Sequence, residues 1–274
     1  MSELLPTKAS FRPGEPIVVE VRGQAEPGAL TVWHFGTPVV TYAYRGEPFV
    51  TLPGLPAGGY AIELGELRTA VEVSADLRTR LRYGFVASYS PDKDPSALID
   101  TVRRLHLTGV QFYDWAYRHA DLLGGGDTYR DALDQPIALS SVRKLISAVK
   151  AAGSRALGYA AVYAVGPKEW PLWQHDALLK ADGAPYALGD FLFIVDPAAT
   201  DWLDHFTRDL RKATALEFDG FHLDQYGYPK RAVRADGVDV DVAASFVTLI
   251  HHVRAALPEA HLVFNNVNDF PTGL

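Results

Sequence analysis

In the first quarter of the chain, apolar and polar residues alternate with the two-residue period of half-buried strands. Ile17-Val18-Val19-Glu20-Val21, Leu30-Thr31-Val32-Trp33-His34, Val39-Val40-Thr41-Tyr42, Tyr60-Ala61-Ile62-Glu63-Leu64 and Ala70-Val71-Glu72-Val73 are short runs rich in β-branched and aromatic residues. Pro-Gly, Gly-Thr-Pro and Pro-Ala-Gly-Gly turns separate them. Turn signals about every ten residues predict an immunoglobulin-like β-sandwich over residues 1–78.

From Leu81 the period changes. Tyr83 to Ala87 is a first strand, and Pro95 to Leu105 a helix with Asp94 as its cap and Pro95 in its first turn. Gly109 to Tyr113 is a second strand, Ser140 to Ala152 a helix closed by Gly153, and Arg155 to Ala164 a third strand. Thr200 to Ala213 carries Trp202, Leu203, Phe206 and Leu210 on one helical stripe. Phe221 to Leu223, then a helix over Asp241 to Leu257, then His261 to Phe264 complete the pattern. Strands alternating with long helices predict a parallel sheet with right-handed crossovers over residues 79–274. About five strands do not close an eight-stranded barrel, which takes about 250 residues. The pattern leaves open a piece of a longer barrel or a shorter open α/β sheet.

Two of these strands end on acids. Phe221-His222-Leu223 runs into Asp224-Gln225-Tyr226-Gly227, and Val110-Gln111-Phe112-Tyr113 runs into Asp114-Trp115. Barrel enzymes keep their chemistry at the carboxyl ends of parallel strands. Glycoside cleavage through a covalent intermediate needs a carboxylate nucleophile, and sugar sites add aromatic faces for the apolar side of the ring. Asp224 is therefore the catalytic candidate. Its alternative is a loop cap or an ion pair. Asp114, Trp115 and His119 form a second cluster, with packing as the alternative for Trp115 and plain solvation for His119. Tyr159 and Tyr163 share one face of the third strand. Tyr163, nearer its end, is the cleft candidate and Tyr159 the buried one. Asn265 and Asn266 end the fifth strand, where polar ligand contacts belong. Asp196-Pro197 reads as structural, and the loop from Asp236 to Asp241 lacks the ligand spacing of a calcium site. The Gly124-Gly125-Gly126-Asp127 run neither follows a strand nor opens a helix, so it is no phosphate cradle.

Composition narrows the class. The 274 residues are 48% hydrophobic, enough for a sizeable core, and carry a formal net charge of −7. That balance recruits neither nucleic acid nor an anionic membrane, and no stretch approaches the ~20 apolar residues of a spanning helix. The absence of cysteine excludes disulfides, thiolate metal sites and a thiol nucleophile. Met1 to Ser10 has no apolar core and is no signal peptide. The compartment stays open: extracellular or cell-surface if a signal was removed, otherwise cytoplasmic.

An ordered set of motifs resembles the dextranase and cycloisomaltooligosaccharide glucanotransferase family, glycoside hydrolase family 66. The set is Tyr83-Gly84-Phe85-Val86, Gln111-Phe112-Tyr113-Asp114-Trp115 with Arg118-His119, and Gly158-Tyr159-Ala160-Ala161-Val162-Tyr163-Ala164. It continues with Val195-Asp196-Pro197, Asp201-Trp202 and Phe218 through Gly227, and runs to Asn268. Thr7 through Glu15 is similar to the family's first β-domain strand. The resemblance implies an immunoglobulin-like domain, a catalytic (β/α)8 TIM-type barrel and a C-terminal β-domain. It implies retaining cleavage or transfer of α-1,6-linked glucan (dextran), on an oligo- or polysaccharide partner, with no cofactor and no metal. Asp224 matches the family nucleophile and Asp114 an acid that holds the substrate. Trp115, His119, Tyr163, Gln225 and Asn265 complete the expected substrate contacts. The family's acid/base glutamate lies well downstream of the nucleophile; Glu259 is not in the matching place. The chain is therefore expected to stop before the proton donor. The competing expectation is a catalytically incomplete carbohydrate-binding fragment or pseudoenzyme of the same fold.

Overall fold

The structure, a computed structural model, describes residues 2–265. Seven antiparallel strands come first: β1 (Glu3–Pro6), β2 (Ile17–Arg22), β3 (Gly28–His34), β4 (Thr37–Tyr44), β5 (Phe49–Leu52), β6 (Gly58–Leu64) and β7 (Leu67–Val73). They form a three-stranded sheet, β1-β2-β5, and a four-stranded sheet, β4-β3-β6-β7. Alternation does what period-two patterning requires: Ile17, Val19 and Val21 point inward, and Val18, Glu20 and Arg22 lie in half-exposed positions. With Leu30, Val32, Val50, Leu52, Ile62 and Val71 they make one buried cluster drawn from both sheets.

Thr7 to Glu15 is not the first strand of this region. That place belongs to Glu3–Pro6, and the later segment forms no named strand, with Phe11 bridging Val73. Pro13 lacks a donor and Gly14 has φ +77, so the backbone turns there instead of extending.

The remaining elements are β8 (Tyr83–Val86), α1 (Ser96–Arg104), β9 (Gly109–Phe112), β10 (Thr128–Arg130), β11 (Pro136–Ala138), α2 (Leu139–Ala151) and β12 (Arg155–Ala161). Then come β13 (Ala164–Val165), α3 (Trp170–Trp173), β14 (Leu178–Leu179), β15 (Ala187–Leu188), β16 (Leu192–Ile194) and α4 (Thr200–Ala213). The last are β17 (Gly220–Asp224), β18 (Arg231–Arg234), β19 (Asp239–Asp241), α5 (Val242–Ala256) and β20 (His261–Phe264). Five of the strands form one sheet in the order β20-β17-β12-β9-β8.

The chain divides into two compact units that are interleaved in sequence. The first comprises residues 1–86, 94–110 and 144–156. Within it α1 is tied to the opening strands by buried Arg103, which donates to the carbonyls of Pro6 (2.7 Å) and Leu5 (3.2 Å) and pairs with Glu20 at 2.6 Å. Arg22 adds a 2.7 Å pair with Asp100.

The second unit comprises residues 87–93, 111–143 and 157–274. In it β17 runs parallel to both β12 and β20, with Ala161 opposite Asp224, Tyr159 opposite His222 and Phe264 opposite Leu223. The third sequence strand is shorter than expected: it stops at Ala161, and Ala164–Val165 turns away to pair antiparallel with Leu192–Ile194. On α4, Trp202, Phe206 and Leu210 are buried, and the Trp202 indole donates to the Val162 carbonyl at 2.8 Å. Asp196 accepts from the Ala198 amide and from Arg234, which sets up the start of α4. Asp241 caps α5 through the amides of Ala243 and Ala244.

Candidate active site

Asp224 is the last residue of β17 and half-buried. Neutral groups hold both of its oxygens. The Asn265 side-chain amide donates to Oδ1 at 2.6 Å, and the Tyr159 hydroxyl donates to Oδ2 at 3.1 Å. Register explains the second contact. Tyr159 and Asp224 project from neighbouring parallel strands on the same face, one pleat apart, and a phenol spans that distance. The charge of Asp224 is felt by Tyr113, Asp114, His119, Tyr159, Tyr163, His222 and Tyr226. The carboxylate therefore sits among aromatic rings and polar groups.

Asp114 follows β9 and has φ +49, the left-handed region that a short polar side chain tolerates best after glycine. It lines a narrow hollow with Arg118, His119, Asp131 and Tyr159. Burial, with the charges of Asp131 and Asp224 behind it, pushes its carboxyl up to about 6. His119 lines the same hollow. Burial and neighbouring Arg118 lower its pKa to about 4, against a smaller opposing effect of Asp224, so its imidazole is neutral near pH 7. Its Nδ1 is buried without a hydrogen-bond partner among the described residues.

Three expected substrate contacts are instead packing and positioning residues. Trp115 is completely buried against Phe218, with its indole N–H on the Tyr159 carbonyl at 3.1 Å, so neither ring face is open to a sugar. Tyr163 is also fully buried; its hydroxyl donates to the Tyr228 carbonyl (2.7 Å) and accepts from the Tyr226 amide (3.1 Å). Gln225 is buried, donates to the Asn265 carbonyl at 2.7 Å and accepts from the Gly227 amide. These bonds hold the turn after β17 and the end of β20. Tyr159 is buried as expected, yet its hydroxyl reaches the acid, whereas Tyr163 serves the core instead of the cleft. The break after Ala161 is the reason, because it takes Tyr163 out of the strand pleat. Asn265 lies at the expected strand end, directly on Asp224. Asn266 and Asn268 fall outside the described residues.

Sequence reasoning missed Tyr226 and Asp131. Tyr226 stacks on Tyr163 at 5.7 Å and feels the charge of Asp224. Asp131 is buried and accepts from the amides of Leu133 and Gln135, a turn role readable from Asp131-Ala132-Leu133-Asp134 but not its place beside Asp114.

Parallel strands that end on acids among tyrosines are where α/β glycoside-cleaving enzymes keep their chemistry. The family model described as Glycosyl hydrolase family 66 matches residues 54–273, and the chain belongs to that family. Two curated cycloisomaltooligosaccharide glucanotransferases of Niallia circulans are similar to it. One is 23% identical over 91% of this chain and 30% of its own length, the other 24% identical over 97% and 31%. The chain thus spans about 30% of the length of these relatives. The fold is shared with a crystal structure of a Paenibacillus sp. cycloisomaltooligosaccharide glucanotransferase complexed with cycloisomaltoheptaose. The TM-score is 0.83 at 23% identity, over 97% of this chain and 45% of that one. No helix among the described residues is long and apolar enough to cross a membrane.

Proposed function

We propose that the full-length protein is a retaining glycoside hydrolase or transglycosylase of the dextranase type, acting on α-1,6-glucan, with Asp224 as nucleophile. The observation that carries the reading is the carboxylate of Asp224 at a parallel-strand end, held by Tyr159 and Asn265 and surrounded by aromatic side chains. Neutral donors orient a carboxylate without tying it into an ion pair, which suits a nucleophile. Asp114 and His119, at the hollow beside it, offer an acceptor and a neutral imidazole to sugar hydroxyls. The acid/base is, by the family resemblance, a glutamate downstream of residue 274. The reaction uses no metal or cofactor. Residues 1–78 form an immunoglobulin-like domain and residues 79–274 about five strands of a (β/α)8 barrel.

The test is Asp224→Ala in the full-length protein with isomaltooligosaccharides. Turnover falls at least about 1,000-fold, equivalent to about 4 kcal/mol of transition-state stabilisation, while calorimetry still detects binding. Added azide restores turnover through a β-glycosyl azide if Asp224 is the nucleophile of an α-retaining enzyme. Near-normal activity in the variant refutes the assignment.

A second reading follows from the share of the relatives' length that the chain spans. These 274 residues alone bind glucan without turning it over. Calorimetry beside a reducing-sugar assay on the isolated chain separates binding from catalysis.

A further inference from the structure

The two oxygens of Asp224 are not held equally. Oδ1 takes a short bond from Asn265 (2.6 Å) and Oδ2 a long one from Tyr159 (3.1 Å). Tyr159 is itself fixed on every side. Its carbonyl accepts from Trp115, and its ring lies parallel to His222 at 6.3 Å and edge-on to Tyr113 at 4.9 Å. Only 5% of the residue is exposed. Burial, followed by the neighbouring Tyr226 and Asp224, raises its pKa far above that of a free phenol, so it keeps its proton and acts as the donor.

We propose that Tyr159 is a positioning residue for the reaction at Asp224, presenting Oδ2 as the attacking oxygen while Asn265 pins Oδ1. The inference rests on Asp224 being the nucleophile. A short bond to an ionised oxygen draws more on its lone pairs than a long one, so Oδ2 is the freer nucleophile. In the first step Oδ2 bonds to the anomeric carbon. The glycosidic C–O bond breaks with its electron pair on the leaving oxygen, which takes a proton from the carboxylic-acid general acid. Asp224 is then an uncharged ester. In the second step water or an acceptor hydroxyl attacks the anomeric carbon and gives its proton to the same group, now a base. The ester C–O bond breaks and its electron pair returns to Oδ2. Negative charge grows on that oxygen as the bond breaks, and the Tyr159 hydroxyl is already aimed at it. A fixed donor that meets developing charge accelerates the step that develops it.

The experiment is Tyr159→Phe in the full-length protein, which removes one oxygen and keeps the ring. Release of the glycosyl-enzyme slows, so kcat falls roughly 10- to 100-fold and KM falls with it, because the covalent intermediate accumulates. An activated aryl glycoside shows a burst of leaving group, and mass spectrometry of quenched enzyme finds the Asp224 peptide glycosylated. Unchanged kcat and KM, or a raised KM with kcat intact, overturns the proposal. The absence of a burst in Tyr159→Phe likewise counts against the proposal. Asp224→Ala in the same assays separates the two levels. If it stays active, the nucleophile assignment has failed. If it is inactive while Tyr159→Phe behaves as wild type, only the role of Tyr159 has failed.

Discussion

Asp224 and Asp114 are the same residue type, each placed at the end of a strand, and their surroundings divide their behaviour. Asp224 is held by two neutral donors, whereas Asp114 sits in a hollow beside the buried carboxylate of Asp131. Its pKa of about 6 in the folded state lies above the ordinary value of about 3.9 expected when unfolded. The folded state therefore binds the proton more tightly. As pH rises from about 4 to above 6, the unfolded chain ionises first and stability falls, by roughly 2–3 kcal/mol at most. Asp114→Asn should be about as stable as wild type at pH 4 and more stable at pH 7.5, measured by urea unfolding at both pH values. An equal difference at the two pH values would show that Asp114 titrates normally. Asp114, Asp224 and Asn265 were legible because strand-end polar residues stand out after apolar runs. Tyr159 was not, because a tyrosine inside a strand reads as core. Only the parallel register to β17 shows its hydroxyl meeting a carboxylate.

At the scale of elements, the strands and helices that frame the site follow their local patterns closely, and a glycine marks the closest approach. Gly220 opens β17, and a Cβ there would lie 1.9 Å from the carbonyl oxygen and 2.5 Å from the amide nitrogen of His261 on β20. Backbone atoms cannot yield as a flexible side chain does, so Gly220→Ala forces β17 and β20 apart. The expected cost is roughly 3 kcal/mol or more, read as a lower denaturation midpoint, and Asn265 would be drawn away from Asp224. A variant within about 0.5 kcal/mol of wild type would mean the strands can shift without loss. The sequence shows Asp219-Gly220 as a turn into a strand. Close packing on β20 became visible only with the parallel pairing. The shortened third strand is the converse case: Arg155 to Ala164 reads as one apolar run, and pairing of Ala164–Val165 with β16 is what divides it.

At the scale of the molecule, the apolar core of the opening strands is self-contained, running from Leu4 to Val73. The compact unit that holds them also takes in residues 94–110, through Arg103 with Glu20, Arg22 with Asp100 and Arg104 with Glu3, and residues 144–156, through the Ala9 amide on the Ala152 carbonyl. A fragment of residues 1–78 should therefore unfold cooperatively but at a lower temperature than the whole chain, because it keeps the core and loses the pairs with Asp100, Arg103 and Arg104. Calorimetry of the fragment checks this. A fragment with no cooperative transition would place the boundary beyond residue 78. Family membership belongs to this scale too. Short motifs spread from Tyr83 to Gly227 carried it in the sequence, and the family match over residues 54–273 bears it out.

By itself the sequence determined the two textures of the chain, the positions of the main helices and parallel strands, the family, and the acids that end two of those strands. These are local properties, written in period, turn residues and short ordered motifs. Tertiary structure alone decided which side chains meet those acids: that Tyr159 and Asn265 grip Asp224, that Asp114 shares its hollow with Asp131, and that Trp115, Tyr163 and Gln225 are buried supports. The physical reason is that a contact between strands depends on register and on where a strand breaks. Hydrogen bonding between distant segments sets both, and neither leaves a mark on residues read one segment at a time.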